Sequence, residues 1–276
     1  MKRIARLFDF YLDASIHVAV AVFALVQITY IILNIGVNHH LSYFLFFSTI
    51  ACYNFVKYGV EAKKYILVSN RYHKIIQIAS IIALFLSLYH AQFLSWETWF
   101  GIVMISLLVV LYALPILPRA KNLRSLGLLK IILVGLVWSG LTVVLPVIEA
   151  GLTMIWDFYI ETTQRFLLVI VLLIPFEIRD LKYDAPSLRT LPQQIGSMNA
   201  KSIGAFLAIA LFFLTLLKDD VTAIDLIAKG IICLGLQFSL FLTKRDQSKY
   251  FASFWVEAIP IIWWGVVWFL NRLLYI

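Results

Sequence analysis

Apolar runs long enough to cross a bilayer recur along the whole chain, near residues 12–35, 41–60, 75–94, 99–117, 126–148, 158–178, 202–217, 221–243 and 251–274. A hydrocarbon core of about 30 Å is crossed by roughly 20 helical residues. The pattern predicts an all-α protein, a polytopic transmembrane bundle of nine helices. The seventh run is the shortest. No connection is long enough for a soluble domain, so residues 1–276 are expected to form one integral membrane domain. The composition agrees: 62% of residues are hydrophobic and 14% charged, with a mean hydropathy of +0.92. Soluble domains are typically about 45–50% apolar and about 25% charged. So much apolar surface cannot be hidden in one water-soluble core, and 15% aromatic residues exclude a disordered chain. The basic residues 1–6 lead into the first run without a small-residue cleavage site, which points to a first spanning helix rather than a cleaved signal peptide. Cys52 and Cys233 both sit in apolar runs and read as small hydrophobes.

A net charge of +8 would suggest nucleic acid as a partner of a soluble protein. Here the distribution points elsewhere, and no nucleic acid is expected. Nineteen of the 23 Lys and Arg fall at the N-terminus and on alternate connections: residues 2–6, 57–74, 119–130, 179–201 and 244–249. Basic connections stay in the cytoplasm. The N-terminus is therefore expected in the cytoplasm and the C-terminus outside, in a bacterial inner membrane or an equivalent. Glu97, Glu149, Asp157, Asp219 and Asp220 fall on the opposite side, with Trp96, Trp99, Trp156 and Trp268 at interfacial positions. The longest connections, near residues 61–74 and 179–201, lie on the basic side, where chemistry is expected.

Charges inside spans are costly and mark sites by default. Glu161 with Arg165, and Asp225 with Lys229, are four residues apart and can pair locally. Asp9, Asp13 and His17 repeat every fourth residue, so they would share one face of a continuous first helix; they fit either the helix macrodipole or a cavity wall. Glu257 has no partner within a turn and is expected to face the bundle interior. His39, His40, His73 and His90 read as isolated. There is no CxxC, HExxH or Gly-rich phosphate loop.

The richest constellation follows the sixth run. Asp180 and Asp184 are one helical turn apart, Glu177 shares their sector, and Arg179, Lys182 and Arg189 are interleaved. Carboxylates at a membrane–water boundary suit Mg²⁺, which binds few protein oxygens and completes its shell with substrate phosphates. The neighbouring cations could hold phosphate oxygens directly. A solvated loop of mixed charge has the same composition.

Arg179, Asp180, Asp184 and the string Thr190, Leu191, Pro192 resemble the second aspartate-rich motif of the UbiA superfamily of intramembrane prenyltransferases. The stretch from Leu111 through Tyr112 to Pro115, with Arg119, Lys121, Arg124 and Lys130 after it, is similar to the region following that family's fourth helix. The resemblance extends over nearly the whole chain, but only the second motif is specific. It implies a helical bundle around a cavity open sideways to lipid, with two aspartate-rich motifs binding Mg²⁺ and an isoprenyl diphosphate. Departure of pyrophosphate would leave an allylic carbocation, captured by an aromatic or lipid acceptor, while metal and basic groups stabilise the leaving charge. On this resemblance Asp180 and Asp184 are the catalytic residues and, with Glu177, the Mg²⁺ ligands. Asn54, Lys57, Arg119, Lys121, Arg179, Lys182 and Arg189 would bind diphosphate.

The first motif departs from the family. With Asn54 at its asparagine, the aspartate positions hold Phe55, Tyr58 and Ala62; moved by one, they hold Asn54, Lys57 and Glu61. Neither register keeps a metal site. Three readings follow: a prenyltransferase with one metal and Lys57 as a substitute cation, a relative that binds a prenyl diphosphate or quinone without turnover, and, third, a transporter.

Overall fold

Hydrocarbon offers the backbone no hydrogen-bond partners, so a spanning segment must bond its own N–H and C=O groups, and the helix does this locally. The computed structural model describes residues 2–61, 70–113 and 127–274. They contain α1 (Lys2–Asp13), α2 (Ile16–Ile32), α3 (His39–Asn54), α4 (Arg71–Ala91), α5 (Trp96–Ala113), α6 (Leu128–Ser139), α7 (Leu145–Glu149), α8 (Trp156–Asp180), α9 (Leu191–Ile195), α10 (Ser197–Leu214), α11 (Ala223–Leu242) and α12 (Ile259–Leu274). Wider π-helical stretches extend α3 (Phe55–Glu61), join α6 to α7 (Gly140–Val144) and lead into α12 (Phe251–Val256). Among the described residues, seven segments are each long and apolar enough to span a membrane, and α1 with α2 forms a broken eighth. The extended α3 accounts for the remaining apolar run. The seventh run is less short than expected, since Ser197–Leu217 spans 21 residues.

Helix starts follow ordinary capping chemistry. Asn38 accepts from the Leu41 N–H, Asn70 from Tyr72 and Thr222 from Asp225, each satisfying an orphan donor of the first turn. Successive spans pack as neighbours from α4 through α3 and α2 on one side and from α6 through α8, α10 and α11 on the other. Contacts of α12 with both α2 and α11 join the two arcs. Outward faces are apolar, with Phe85, Phe100, Phe206, Phe213, Phe238 and Phe241 exposed. Lipid is the solvent that such a surface fits.

The first span is not continuous, which corrects the single-face expectation for Asp9, Asp13 and His17. The chain bends by 59° between α1 and α2, with Ser15 in the left-handed region at φ 57°. Asn54 clamps the break: its amide donates to the Ala14 carbonyl (3.0 Å), and its carbonyl accepts from Ser15 Oγ (2.8 Å). His17 is thereby turned away from the two acids. Its ring bonds Tyr11 Oη (2.8 Å) and the Phe254 carbonyl (2.9 Å).

The buried charges join in one network larger than the two expected pairs. Glu161 meets Arg165 at 3.1 Å, Lys218 at 2.9 Å and Lys229 at 2.7 Å, while Asp225 meets Lys218 at 2.6 Å and Lys229 at 2.8 Å. Arg165 also donates to the Leu25 carbonyl and to Thr142 and Thr29, so the network fastens α8, α11, α2 and the π-helical stretch after α6. Burial opposes the charge on Lys218, but the carboxylates of Glu161 and Asp225 hold its pKa above the usual lysine range. At the same end Glu149 accepts from Asn38, Ser95 N–H and Ser95 Oγ. His40 and His90 are not isolated, because helices α3 and α4 bring their Nδ1 atoms to 3.1 Å.

Candidate active site

The basic end of the bundle encloses a cavity of about 390 Å³ between α1, α3, α8 and the turn leading into α12. Its wall carries three cations, Lys57, Arg179 and Lys249, and three carboxylates, Asp9, Asp13 and Glu257, beside Tyr53, Phe176 and Tyr250. The acids of α1 face the lysines because the bend swings α1 across this end. Asp9 meets Lys249 at 2.9 Å and accepts from Tyr250 Oη at 2.8 Å. The hydroxyl of Tyr250 and the carboxylate of Asp9 together raise the pKa of Lys249 above its usual range. Asp13 lies 3.7 Å from Lys57, and Tyr72 Oη donates to it at 2.9 Å. Tyr53 Oη accepts from the Trp138 indole (2.9 Å), and an indole has no acceptor to return, so this bond does not use the Tyr53 hydroxyl proton.

The acidic motif lies beside the cavity and reaches it through Arg179. That guanidinium holds Asp180 with two bonds of 2.7 and 3.2 Å, lies 5.0 Å over the Phe176 ring, and lines the cavity. One helical turn continues past α8, since the Asp184 N–H bonds the Asp180 carbonyl at 2.9 Å. Glu177 is buried and paired with Lys130 at 2.5 Å. It lies within electrostatic reach of Asp180 and Asp184. The Thr190, Leu191, Pro192 string is a helix start. Proline occupies the first turn of α9, where its missing N–H costs nothing, and the Gln193 side chain reaches back to the Thr190 N–H (3.0 Å) and to the Ala185 carbonyl (3.2 Å). This fixes the loop carrying Asp184.

Of the other expected residues, Lys57 is in the cavity, whereas Asn54 is buried behind it as the clamp of the α1–α2 break and also bonds Ser80 at 2.9 Å. Lys182 points to the connection after α11, pairing with Asp246 at 2.7 Å. Arg189 is exposed with a left-handed backbone, φ 51°. The backbone there crowds Gly127, where a Cβ would stand 2.3 Å from the Arg189 carbonyl oxygen. Arg119 and Lys121 lie outside the described residues. Sequence reasoning gives no site role to Lys249, Tyr250 or Tyr53 and names Lys130 only in the basic tail after Pro115, whereas Lys57, the α1 acids Asp9 and Asp13 and the unpaired Glu257 each stand out locally.

As a donor set, Asp180 and Asp184 fit one hard cation whose remaining ligands are phosphate or water oxygens. They do not form a cage: among the described residues no three His, Cys, Asp or Glu groups stand close enough to hold an ion. Glu177, spent on Lys130, is the residue withheld from it.

No family model and no curated protein matches the sequence. Solved structures do match in shape. A UbiA homologue from Archaeoglobus fulgidus bound to DMAPP and Mg²⁺ has a TM-score of 0.64 at 12% identity, covering 96% of this chain and 99% of that one. The apo UbiA homologue from Aeropyrum pernix K1 gives 0.65 at 11% identity, over 92% and 98%. A digeranylgeranylglyceryl phosphate synthase gives 0.52 at 17% identity, over 94% and 95%. The protein has the fold of the UbiA homologues.

Proposed function

Given a UbiA fold, we propose that this multi-pass membrane protein is a UbiA-type prenyltransferase, moving an isoprenyl group from a prenyl diphosphate to an aromatic or lipid acceptor. The observation that carries this reading is the cavity at the basic end, where Lys57 and Arg179 line one volume and Arg179 links it to Asp180. The Archaeoglobus fulgidus structures bound to DMAPP or GPP and Mg²⁺ support a prenyl diphosphate as donor. The basic end would face the cytoplasm.

In this reading Asp180 and Asp184 would hold one Mg²⁺, which when bound would supply positive charge for the leaving pyrophosphate. Lys57 stands where a second metal motif is missing and neutralises the diphosphate as a point charge. Arg179 grips phosphate oxygens in its fork while Asp180 orients it. Tyr53 and Phe176 present aromatic surface to the allylic carbon as positive charge develops there. Asp9 and Asp13 are competitors for the lysines and must yield as the diphosphate enters.

A second reading, prenyl diphosphate binding without turnover, is favoured by the ion pairs that neutralise two of the three motif acids, Glu177–Lys130 and Asp180–Arg179. Purified protein in lipid nanodiscs separates the two. With geranyl, farnesyl or geranylgeranyl diphosphate and mixed aromatic acceptors, pyrophosphate release should exceed that of the D180A/D184A double mutant and require Mg²⁺. Binding that depends on Mg²⁺ without release would decide for the second reading, and absence of both would remove the site.

A further inference from the structure

Glu257 is the one cavity carboxylate that makes no hydrogen bond or ion pair with any described residue. Its cavity companions Asp9 and Asp13 are both bonded to side chains across the opening. It stands at the end of the π-helical stretch Phe251–Val256, where its N–H reaches back five residues to the Ala252 carbonyl (3.2 Å). Such wide turns are rare and frequently found at functional sites. Lys57, on the opposite wall, is carried on another one, Phe55–Glu61. The turn is held in place by His17, whose Nε2 meets the Phe254 carbonyl at 2.9 Å and whose other nitrogen is tied to Tyr11. A bare carboxylate within a membrane-embedded bundle is expensive unless a ligand uses it. Of the groups that line the cavity with it, Lys57 and Arg179 are the cations assigned to diphosphate, and Tyr53 carries a hydroxyl that accepts from Trp138.

We propose that Glu257 is the acceptor-side base: it receives a hydrogen bond from the hydroxyl of a phenolic or alcoholic acceptor and takes the proton that prenyl transfer releases. The proposal rests on the prenyltransferase reading. In the step, the bond from the prenyl C1 to the diphosphate oxygen breaks and its electron pair leaves with pyrophosphate. The acceptor's nucleophilic oxygen or ring carbon forms the new bond to C1. The proton lost from that oxygen or carbon ends on the Glu257 carboxylate, so charge and atoms balance.

The test measures pyrophosphate, prenylated acceptor and prenyl alcohol separately for the full-length protein, with E257Q and E257D beside wild type, farnesyl diphosphate as donor and a panel of phenols and long-chain alcohols. E257Q should lower prenylated product at least 100-fold and raise pyrophosphate released per prenylated product at least tenfold, as water captures the cation and prenyl alcohol accumulates. E257D should restore part of the product. An unchanged ratio overturns the assignment, whether both rates fall together, as from a merely structural lesion, or neither falls. Absence of pyrophosphate release from wild type removes the prenyltransferase reading and this assignment with it; release from wild type with an unaltered ratio in E257Q removes only the role of Glu257.

Discussion

The two ends of the bundle handle buried charge in opposite ways. Around Glu161 three cations and two carboxylates close on one another at 2.6–3.1 Å, at the core of the protein, where Glu161, Arg165 and Lys229 have no exposure. At the basic end the charges line an open volume, the lysines are exposed, and the Lys57–Asp13 pair is loose at 3.7 Å. A network whose charges are paired with one another and closed off from any opening serves to hold helices together. A half-closed one can exchange its internal partners for a substrate. Charge inside a membrane thus carries two different meanings, and the state of its partners tells them apart.

The comparison breaks most severely at Glu161. Replacing it by Gln leaves Lys218 and Lys229 with Asp225 alone and Arg165 with no carboxylate, and breaking a buried pair of this kind typically costs about 3–5 kcal/mol. Unfolding of E161Q in mixed micelles should show a loss of that order. A loss under about 1 kcal/mol would mean the network is not the lock described here.

At the other end the largest effect is on binding, with little on stability. Lys57→Ala should weaken prenyl diphosphate binding about tenfold, the size of one charge-assisted hydrogen bond, with the unfolding midpoint unmoved. Lys57→Asp should raise the Mg²⁺ concentration needed for half-maximal binding. Calorimetric titration that finds neither change separates Lys57 from the diphosphate. Asp13→Asn sharpens the contrast with opposite sign. It releases Lys57 from a partly exposed pair worth about 0–1 kcal/mol, so diphosphate binding should tighten by up to about fivefold. Weaker binding in D13N would show that Asp13 assists the ligand.

How much of this the sequence discloses depends on how far apart the partners lie. The nine apolar runs set the spans, because hydrocarbon thickness imposes one length on each. Asp180, Asp184 and the Thr190, Leu191, Pro192 helix start are legible as a local string. Their cavity partners are legible only one by one: Asp9, Lys57 and Glu257 each stand out locally, but they lie far apart in the chain, and their meeting with Tyr53 in one cavity follows from the packing of α2 on α12. The break at Ser15 has no local signature either, since its clamp, Asn54, is 39 residues away. Asn54 itself is read locally as a motif residue, and its buried bonds to Ala14, Ser15 and Ser80 are what that reading lacked. The His40–His90 contact, 50 residues apart, was hidden for the same reason.

The smallest effect belongs to Lys182, which the motif places among the diphosphate cations and the fold turns toward Asp246. Asp246 is held below the usual carboxylate range by its bond to Lys182, and Lys182 is raised by Asp246 in return. The depressed carboxylate contributes stability above about pH 4, its unfolded value, and loses it as pH falls through the folded value. The raised lysine contributes below about pH 10 and loses its share only as pH rises beyond. Between these limits the pair is constant, and both groups are solvent-screened, so Lys182→Ala should leave the unfolding midpoint flat from about pH 5 to 9. The informative readout is ligand affinity. If Lys182 stays with Asp246, K182A binds prenyl diphosphate as wild type does, and the cations of the site reduce to those that line the cavity. A tenfold loss in K182A would instead place the loop after α8 over the cavity in the bound state, with Lys182 exchanging Asp246 for phosphate.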